Sequence, residues 1–350
     1  MSNVPAAADG QSIGHGPATL AGGEDGTSTV DLSVVIVTTN ERHWLTDCLH
    51  TLARQLQDLS AEVIVVDNAS QDDSAELVHD LYPRARIVRN QSPVGFSQAN
   101  NRGCAVARGR YIMLLNPDTL FHDGLAQMLD LLAANPRAGA VSPIMLDQHG
   151  QPRDSWGHFP SLKTLAFTML LLDRVQGLRR LGHPVVVHPR HPEFAAGLQR
   201  ARRVDWVCGA CLLTSRPVLD AVGPLDEGFV IYSEDADWCY RARQAGYESW
   251  VTPAATITHF GAGGREWHAW KGPGATLNAY SSFLYFHRKH SPVWRQLLVR
   301  LVLAVGAVLR LVTGLVFTVT MRGQDRERAW GVVQAYAQVA WLMLSPSGRT

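Results

Sequence analysis

Polar residues of the kinds that hold nucleotides, metals and protons recur in this chain directly after short apolar runs. Thr38-Thr39-Asn40-Glu41 follows the first run, and Asp67-Asn68-Ala69-Ser70-Gln71-Asp72 closes the second. A carboxylate and an amide at a strand end, with Ser70 and Asp72 near a helix start, suit the base and ribose of a nucleotide; they also serve as plain helix caps. Asn90 and the segment Gly95-Phe96-Ser97-Gln98-Ala99-Asn100-Asn101-Arg102-Gly103 add amides beside a glycine that admits a close backbone approach. Such amides bond a nucleotide without adding negative charge beside a diphosphate, although a turn and a helix cap would use them too. Leu115-Asn116-Pro117-Asp118 sets a carboxylate in a proline-fixed turn, either as a hard-oxygen ligand for Mg²⁺ or Mn²⁺ or as an ordinary turn residue. A cation bound there would bridge a diphosphate and neutralise its charge as it leaves.

These segments can act together only if the fold gathers them at one end of a sheet. Residues 32–38, 62–67, 85–88 and 111–115 are too short and too apolar or β-branched for helices, and read as buried parallel strands. Residues 43–57, 72–81, 96–108 and 121–134 fill the gaps as helices. The alternation predicts an α/β domain, a mostly parallel sheet flanked by helices, with ligands at the carboxyl ends of the strands. No G-x-G-x-x-G follows the first strand, so a nicotinamide-dependent oxidoreductase loses support. Further on, a helical run over 162–178 leads into a loop rich in His, Pro and Arg. Ordered αβ character returns over 204–214, in a helix from about Ser233, and in strands over 249–259.

With 350 residues, 46% of them hydrophobic, the chain has ample core material, and a net charge of +1 gives no global attraction for nucleic acid. Five scattered cysteines suit a reducing compartment. Cys208 and Cys211 form a C-x-x-C without a second pair at zinc spacing, and read as structural. His183, His188 and His191 sit in a loop rich in Pro and Arg and are expected to lack acidic partners, which predicts a solvated or acceptor-facing loop. Residues 1–30, polar and lacking Lys and Arg, read as a disordered leader.

The ordered set T-T-N-E, D-N-A-S-Q-D, V-G-F-S-Q-A-N-N-R-G, L-L-N-P-D, D-W-V-C-G-A and S-E-D-A-D-W-C-Y-R-A-R-Q-A-G-Y resembles the family-2 glycosyltransferases, particularly their rhamnosyltransferase-like branch, over roughly residues 32–262. The resemblance implies a GT-A (Rossmann-like) fold, a nucleotide-diphosphate sugar donor, a lipid-linked or glycan acceptor, and an inverting mechanism. Thr38, Asn40, Asp67, Asn68 and Asp72 would hold the nucleoside. Asp118 would ligate Mg²⁺ or Mn²⁺ as the last residue of a D-x-D-like motif, with Asn116 where many relatives carry an acid. His259, in T-H-F-G, matches a further metal or diphosphate contact, or else is a buried strand-end histidine. Asp205, Trp206, Gly209 and Ala210, with Glu234, would wall the donor sugar and acceptor, although Trp206 suits the core equally. The implied halves are a nucleotide-sugar part over 31–150 and an acceptor and catalytic part over 151–270. On the branch resemblance, dTDP-L-rhamnose is the first donor and UDP-sugars are alternatives. A noncatalytic sugar-nucleotide-binding scaffold is the rival class, disfavoured by intact Asp118 and Asp235.

The resemblance puts the base on Asp235, and local spacing agrees. With Ser233 as N-cap, Glu234, Asp235 and Asp237 fall in a first helical turn, whose dipole favours ionised carboxylates. Asp237 has Arg241 four residues on, an ion-pair spacing, whereas Asp235 has only Cys239 there. The remaining region, 271–350, reads as apolar and amphipathic helices. At 100° per residue, Arg295, Arg300, Arg310 and Arg322 share one half of a helix, while Leu297, Leu301, Val305, Val308, Val312, Leu315 and Val319 share the other. That pattern predicts a helix lying on the cytoplasmic membrane face, because a span would bring Arg310 near the bilayer centre; the length alone permits a span, and a helix packed on the catalytic domain is the other alternative.

Overall fold

The computed structural model describes residues 30–172, 175, 178, 182–229, 231–261 and 273–344. Apart from Val30, the expected leader lies outside them. Four parallel strands, β1 (Leu32–Thr38), β2 (Ala61–Asp67), β3 (Arg86–Arg89) and β4 (Tyr111–Leu115), appear where the apolar runs predict them, in the order β3-β2-β1-β4. Helices α1 (Arg42–Gln55), α2 (Ser74–Leu81) and α3 (Phe96–Val106) make the crossovers. Strand alternation sends Leu32, Val34 and Ile36 into one apolar core with α1, and Val35 into a second core on the opposite face. Gly103 lets α3 press onto that face, since a Cβ there would stand 2.3 Å from Val35 Cγ1.

Beyond β4 the sheet is mixed. It continues through β10 (Cys211–Ser215), β6 (Ala138–Leu146), β11 (Glu248–His259) and β5 (Thr119–Asp123), with β8 (Arg202–Val204) also paired to β11. β10, β5 and β8 pair antiparallel, and β6 pairs parallel with β11. A two-stranded ribbon joins β7 (Trp156–Gly157) to β9 (Trp206–Val207). The helix expected over 121–134 is corrected: residues 119–123 form β5, and α4 (Leu125–Ala134) starts only after Gly124, at φ 89°. A Cβ on Gly124 would meet Ala254 O at 2.1 Å, so the turn that frees β5 to pair with β11 requires glycine.

The remaining helices are α5 (Leu162–Met169), α6 (Pro192–Gly197), α7 (Arg216–Val222), α8 (Glu234–Gln244), α9 (Pro273–His290), α10 (Val293–Thr320) and α11 (Gln324–Leu344). α5 stops short of the expected 178, with Leu171 at φ 58°. α5, α9, α10 and α11 share a separate core around Leu165, Tyr280, Val299, Leu303 and Val339. All seven residues of the expected apolar half of α10 are exposed, from Leu297 to Val319. The opposite side packs on protein through Val299, Leu303 and Ala307, although Arg295 and Arg322 stay exposed. There Arg310 turns inward and donates to the carbonyls of Thr168 and Met169 at the end of α5. The objection that a charge would sit unpaired in a bilayer therefore does not apply to Arg310.

Candidate active site

The carboxyl ends of β1, β2 and β4 form the floor. Asn40, Ala69 and Asp73 adopt left-handed φ values of 55°, 63° and 58°, so the loops leaving β1 and β2 are held in sparsely populated conformations. Their ties are mutual: Asn40 Oδ1 accepts from Gln71 N (2.6 Å), Ser70 Oγ from Asn40 N (3.1 Å), and Asp72 Oδ2 from Arg42 N (2.9 Å). Asp67 Oδ1 accepts from Ser70 N at 2.9 Å. The hydroxyl of Thr38 is buried without a hydrogen-bond partner among the described residues.

The amides divide into two groups. Asn68 bonds the backbone of Val94 through both ends of its side chain, at 3.0 and 2.9 Å, and accepts from Asn90 at 2.9 Å; Asn90 in turn accepts from Arg102. Asn100 is buried and bonds Phe96 O. Asn101 is turned away, donating to Leu225 O and Glu227 and accepting from Leu225 N, so its expected place at the nucleotide is corrected to a brace for the 225–227 loop. Nothing lies within 4 Å of a Cβ on Gly95, which leaves open space at the start of α3.

Asp118 and His259 are brought together by the pairing of β5 with β11. His259 stands opposite Thr119, and its Nε2 lies 3.3 Å from Asp118 Oδ1. Glu41, which sequence reasoning passed over, belongs here: burial first, then the charges of Asp118 and Asp72, raise its carboxyl to about 7. Its position directly after T-T-N was the available signal. A carboxylate in contact with an imidazole, and a second carboxylate near enough to feel the charge of the first, are donors that a divalent cation such as Mg²⁺ or Mn²⁺ can use. Arg153 was also missed. It donates to the carbonyl of His259 from 106 residues away and so could not be placed by any local pattern.

Glu234 and Asp235 open α8, but not as the capping rule predicts. Ser233 has φ 67° and caps no helical amide with its side chain. Asp235 Oδ2 instead accepts from Gly209 N (3.0 Å) and its Oδ1 from Ala236 N (2.7 Å). Ala210 O accepts from Asn116 N at 2.9 Å. The Gly209-Ala210 turn therefore links the acid on α8 to the strand end that carries Asp118. The dipole does not set the charge state here: burial raises the pKa of both Glu234, to about 8, and Asp235. The pair carries one proton more readily than none. Glu234 Oε2 is buried without a hydrogen-bond partner among the described residues, whereas two backbone amides stabilise ionised Asp235. The proton therefore resides on Glu234 and the charge on Asp235.

A carboxyl whose folded pKa lies above its ordinary 4.5 binds its proton more tightly in the native state, so stability falls as pH rises from 4.5 towards about 8. Glu234→Gln is expected to change stability little near pH 5 and to raise it by about 1–3 kcal/mol at pH 8. Denaturant unfolding at the two pH values measures this. An unchanged pH dependence would remove the buried proton from Glu234.

Asp205 is turned to other partners, and Trp206 takes the core place that the sequence allowed equally. Asp205 accepts from Phe159 N at 3.1 Å, lies 3.5 Å from His158 and pairs with Arg243 at 3.2 Å, at the far end of α8 from Asp235. Trp206 is buried with its indole N–H on the carbonyls of His158 and Val185. Both support the β7–β9 ribbon. The histidine-rich loop has acidic partners after all: His183 meets Glu193 at 3.3 Å and His188 meets Asp154 at 3.6 Å. His158 joins His183 at Glu193. Burial lowers its pKa, but hydrogen bonds to Asp205 and Glu193 prevail and lift it to about 9, so that cluster is neutralised internally. All five cysteines are free thiols, including Cys208 and Cys211.

The family model for glycosyl transferase family 2 matches residues 33–222, more than half of the chain. The N-acetylglucosaminyl-diphospho-decaprenol L-rhamnosyltransferase of Mycobacterium tuberculosis (strain ATCC 25618 / H37Rv) is 28% identical over 256 residues, covering 67% of this chain and 76% of that protein. The low-salt glycan biosynthesis hexosyltransferase Agl10 of Haloferax volcanii is 24% identical over 219 residues, covering 61% of this chain and 62% of that protein. Among solved structures, the mannosyltransferase PcManGT from Pyrobaculum calidifontis, in complex with GDP-Man and Mn²⁺, is similar with a TM-score of 0.52 and 19% identity, covering 89% of this chain and 86% of its own. GalNAc-T7 with UDP, GalNAc and Mn²⁺ gives a TM-score of 0.50 and 17% identity over 66% of this chain, which spans 43% of that structure's chain. Both likenesses concern the fold, a GT-A-type mixed sheet flanked by helices.

Proposed function

Because the chain belongs to glycosyl transferase family 2 and is a glycosyltransferase, we propose that it transfers L-rhamnose, with inversion, from dTDP-L-rhamnose to a hydroxyl of a lipid-linked acceptor in cell-envelope glycan synthesis at the cytoplasmic face of the membrane. The observation that carries this reading is the Gly209-Ala210 turn, which ties ionised Asp235 to the strand end bearing Asp118. In this reading Thr38, Asn40, Asp67, Asn68 and Asp72 line the nucleoside site, and the open space at Gly95 admits the donor.

Asp118 and His259, with Glu41 beside them, would hold the divalent cation, which supplies positive charge to the diphosphate. Asp235 takes the proton from the acceptor hydroxyl. The freed oxygen forms its bond to the anomeric carbon as the bond to the diphosphate oxygen breaks on the opposite face, and the electron pair leaves with the nucleotide. One displacement inverts the configuration. Glu234, already protonated, cannot compete for that proton. The similarity to a rhamnosyltransferase whose name includes a decaprenol-linked acceptor supports the donor and acceptor chosen, and the exposed apolar stripe of α10 supports attachment to a membrane surface.

Purified protein with Mn²⁺ or Mg²⁺, screened against a panel of nucleotide sugars, should release free nucleotide fastest from dTDP-L-rhamnose. Faster release from a UDP-sugar would replace the donor. In the same assay format, Asp118→Ala is expected to weaken metal-dependent nucleoside-diphosphate binding by about tenfold or more, ~1.4 kcal/mol, because Glu41 and Asp72 then face the diphosphate with fewer cation ligands. Titration with and without Mn²⁺ measures this. Equal affinity of both proteins under both conditions would refute the metal assignment.

A further inference from the structure

A cavity of about 480 Å³ opens where α5, α8, α9 and α10 meet, apart from the residues assigned to transfer. Aromatic rings of Phe159, Tyr240 and Phe286 line it, and Lys163, Arg243 and Arg295 bring cations to it. Arg243 stacks 4.2 Å from the centroid of Phe159 and shares its charge with Asp205. Lys163 and Arg295 are exposed and have no carboxylate partner among the described residues. The N-termini of α5 and α10 both border the cavity, and neither helix has an acid in its first turn. Two positive dipole ends and two uncompensated cations thus face one space. The histidines on its wall are occupied elsewhere: His287 with Pro160 O and Ser291, and His290 with Asp237.

From the same edge the apolar stripe of α10 begins, with Val293 69% and Trp294 57% exposed. A soluble anion would use the cations alone. A ligand that uses the whole arrangement has a phosphate joined to hydrocarbon. We propose that this cavity binds the phosphate of an anionic phospholipid headgroup, with the acyl chains running along the exposed face of α10. Trp294 then stands at the interface, as amphipathic aromatic side chains do. This assignment rests on the membrane attachment proposed above.

The test is co-sedimentation of the full chain with phosphatidylcholine vesicles, and with the same vesicles containing about one third phosphatidylglycerol. Wild type should bind both and prefer the anionic vesicles. Lys163→Gln/Arg295→Gln should lose about 10- to 30-fold of that preference while keeping its partition into phosphatidylcholine. Arg322→Gln/Arg326→Gln removes the same charge from exposed positions in the turn after α10 and the start of α11 and should lose no more than about threefold. Unchanged preference in the cavity variant, or an equal loss in the control pair, would overturn the cavity as the site. Abolition of the preference by millimolar inorganic phosphate would reassign it to a soluble anion. Failure of wild type to bind either vesicle would overturn the membrane attachment itself, and the cavity proposal with it.

Discussion

Asp235→Asn is expected to lower turnover by about two to four orders of magnitude while leaving nucleotide-sugar binding nearly intact. Asparagine keeps the size of the side chain and can still accept one backbone amide through its carbonyl oxygen. It cannot take a proton from the acceptor. Because burial raises the Asp235 pKa, the wild-type rate should fall on acidification at a higher pH than an ordinary carboxylate would set, as the base becomes protonated. Single-turnover transfer and donor titration, measured in parallel, separate chemistry from binding. Near-normal transfer by Asp235→Asn, with loss in Glu234→Gln at unchanged donor affinity, would move the base to Glu234.

Asp237→Ala should act on stability instead. Asp237 is fully buried and is met by Arg241 Nε at 2.8 Å, Lys289 Nζ at 2.9 Å and His290 Nε2 at 2.7 Å. Burial raises its pKa, but hydrogen bonds from His290, Arg241 and Lys289 outweigh that and hold it below the ordinary 3.8. Its contribution is therefore present above that value and is lost as pH falls through the lower, folded-state value. Truncation leaves several cationic groups facing a buried gap, which costs about 3–5 kcal/mol. Denaturant midpoints should drop accordingly, while the folded fraction turns over near the wild-type rate. A variant of normal stability without activity would place Asp237 in the chemistry.

The parallel half of the sheet was readable because its signal is local: the runs at β1, β2 and β4 are mostly apolar, broken within only by Ser33 and Glu62, and the polar residues after them fall at strand ends whatever the tertiary context. The Asp237–Arg241 pair was readable for the same reason, being a matter of helical spacing. β5 was not. Thr119–Asp123 is a strand because β11, well over a hundred residues on, supplies its hydrogen bonds, and the apolar residues after it continue into a true helix. Ser233 looked like a cap by residue type, yet its left-handed backbone points the side chain elsewhere. Asp205 lay inside a motif with Gly209 and Ala210, but the strand break between β8 and β9 turns it towards Arg243. Arg153 belongs to the site through folding alone, by a contact across the sheet, whereas Glu41 carried a signal in its place after T-T-N that its residue type alone did not make plain.

The grip of Arg310 on α5 has a consequence for how the enzyme would meet its acceptors. Gly306 brings α10 close enough that a Cβ there would stand 2.7 Å from Met169 Cβ, and one turn later Arg310 locks the two helices through the carbonyls of Thr168 and Met169. The azimuth of α10 about its own axis is thereby fixed relative to the catalytic sheet. Seated on a bilayer by its exposed stripe, every molecule would share one tilt and one height, with Asp118 and Asp235 at a constant distance from the lipid surface. Acceptors would then reach them by lateral diffusion in the plane, a two-dimensional search that needs no reorientation of the enzyme between turnovers.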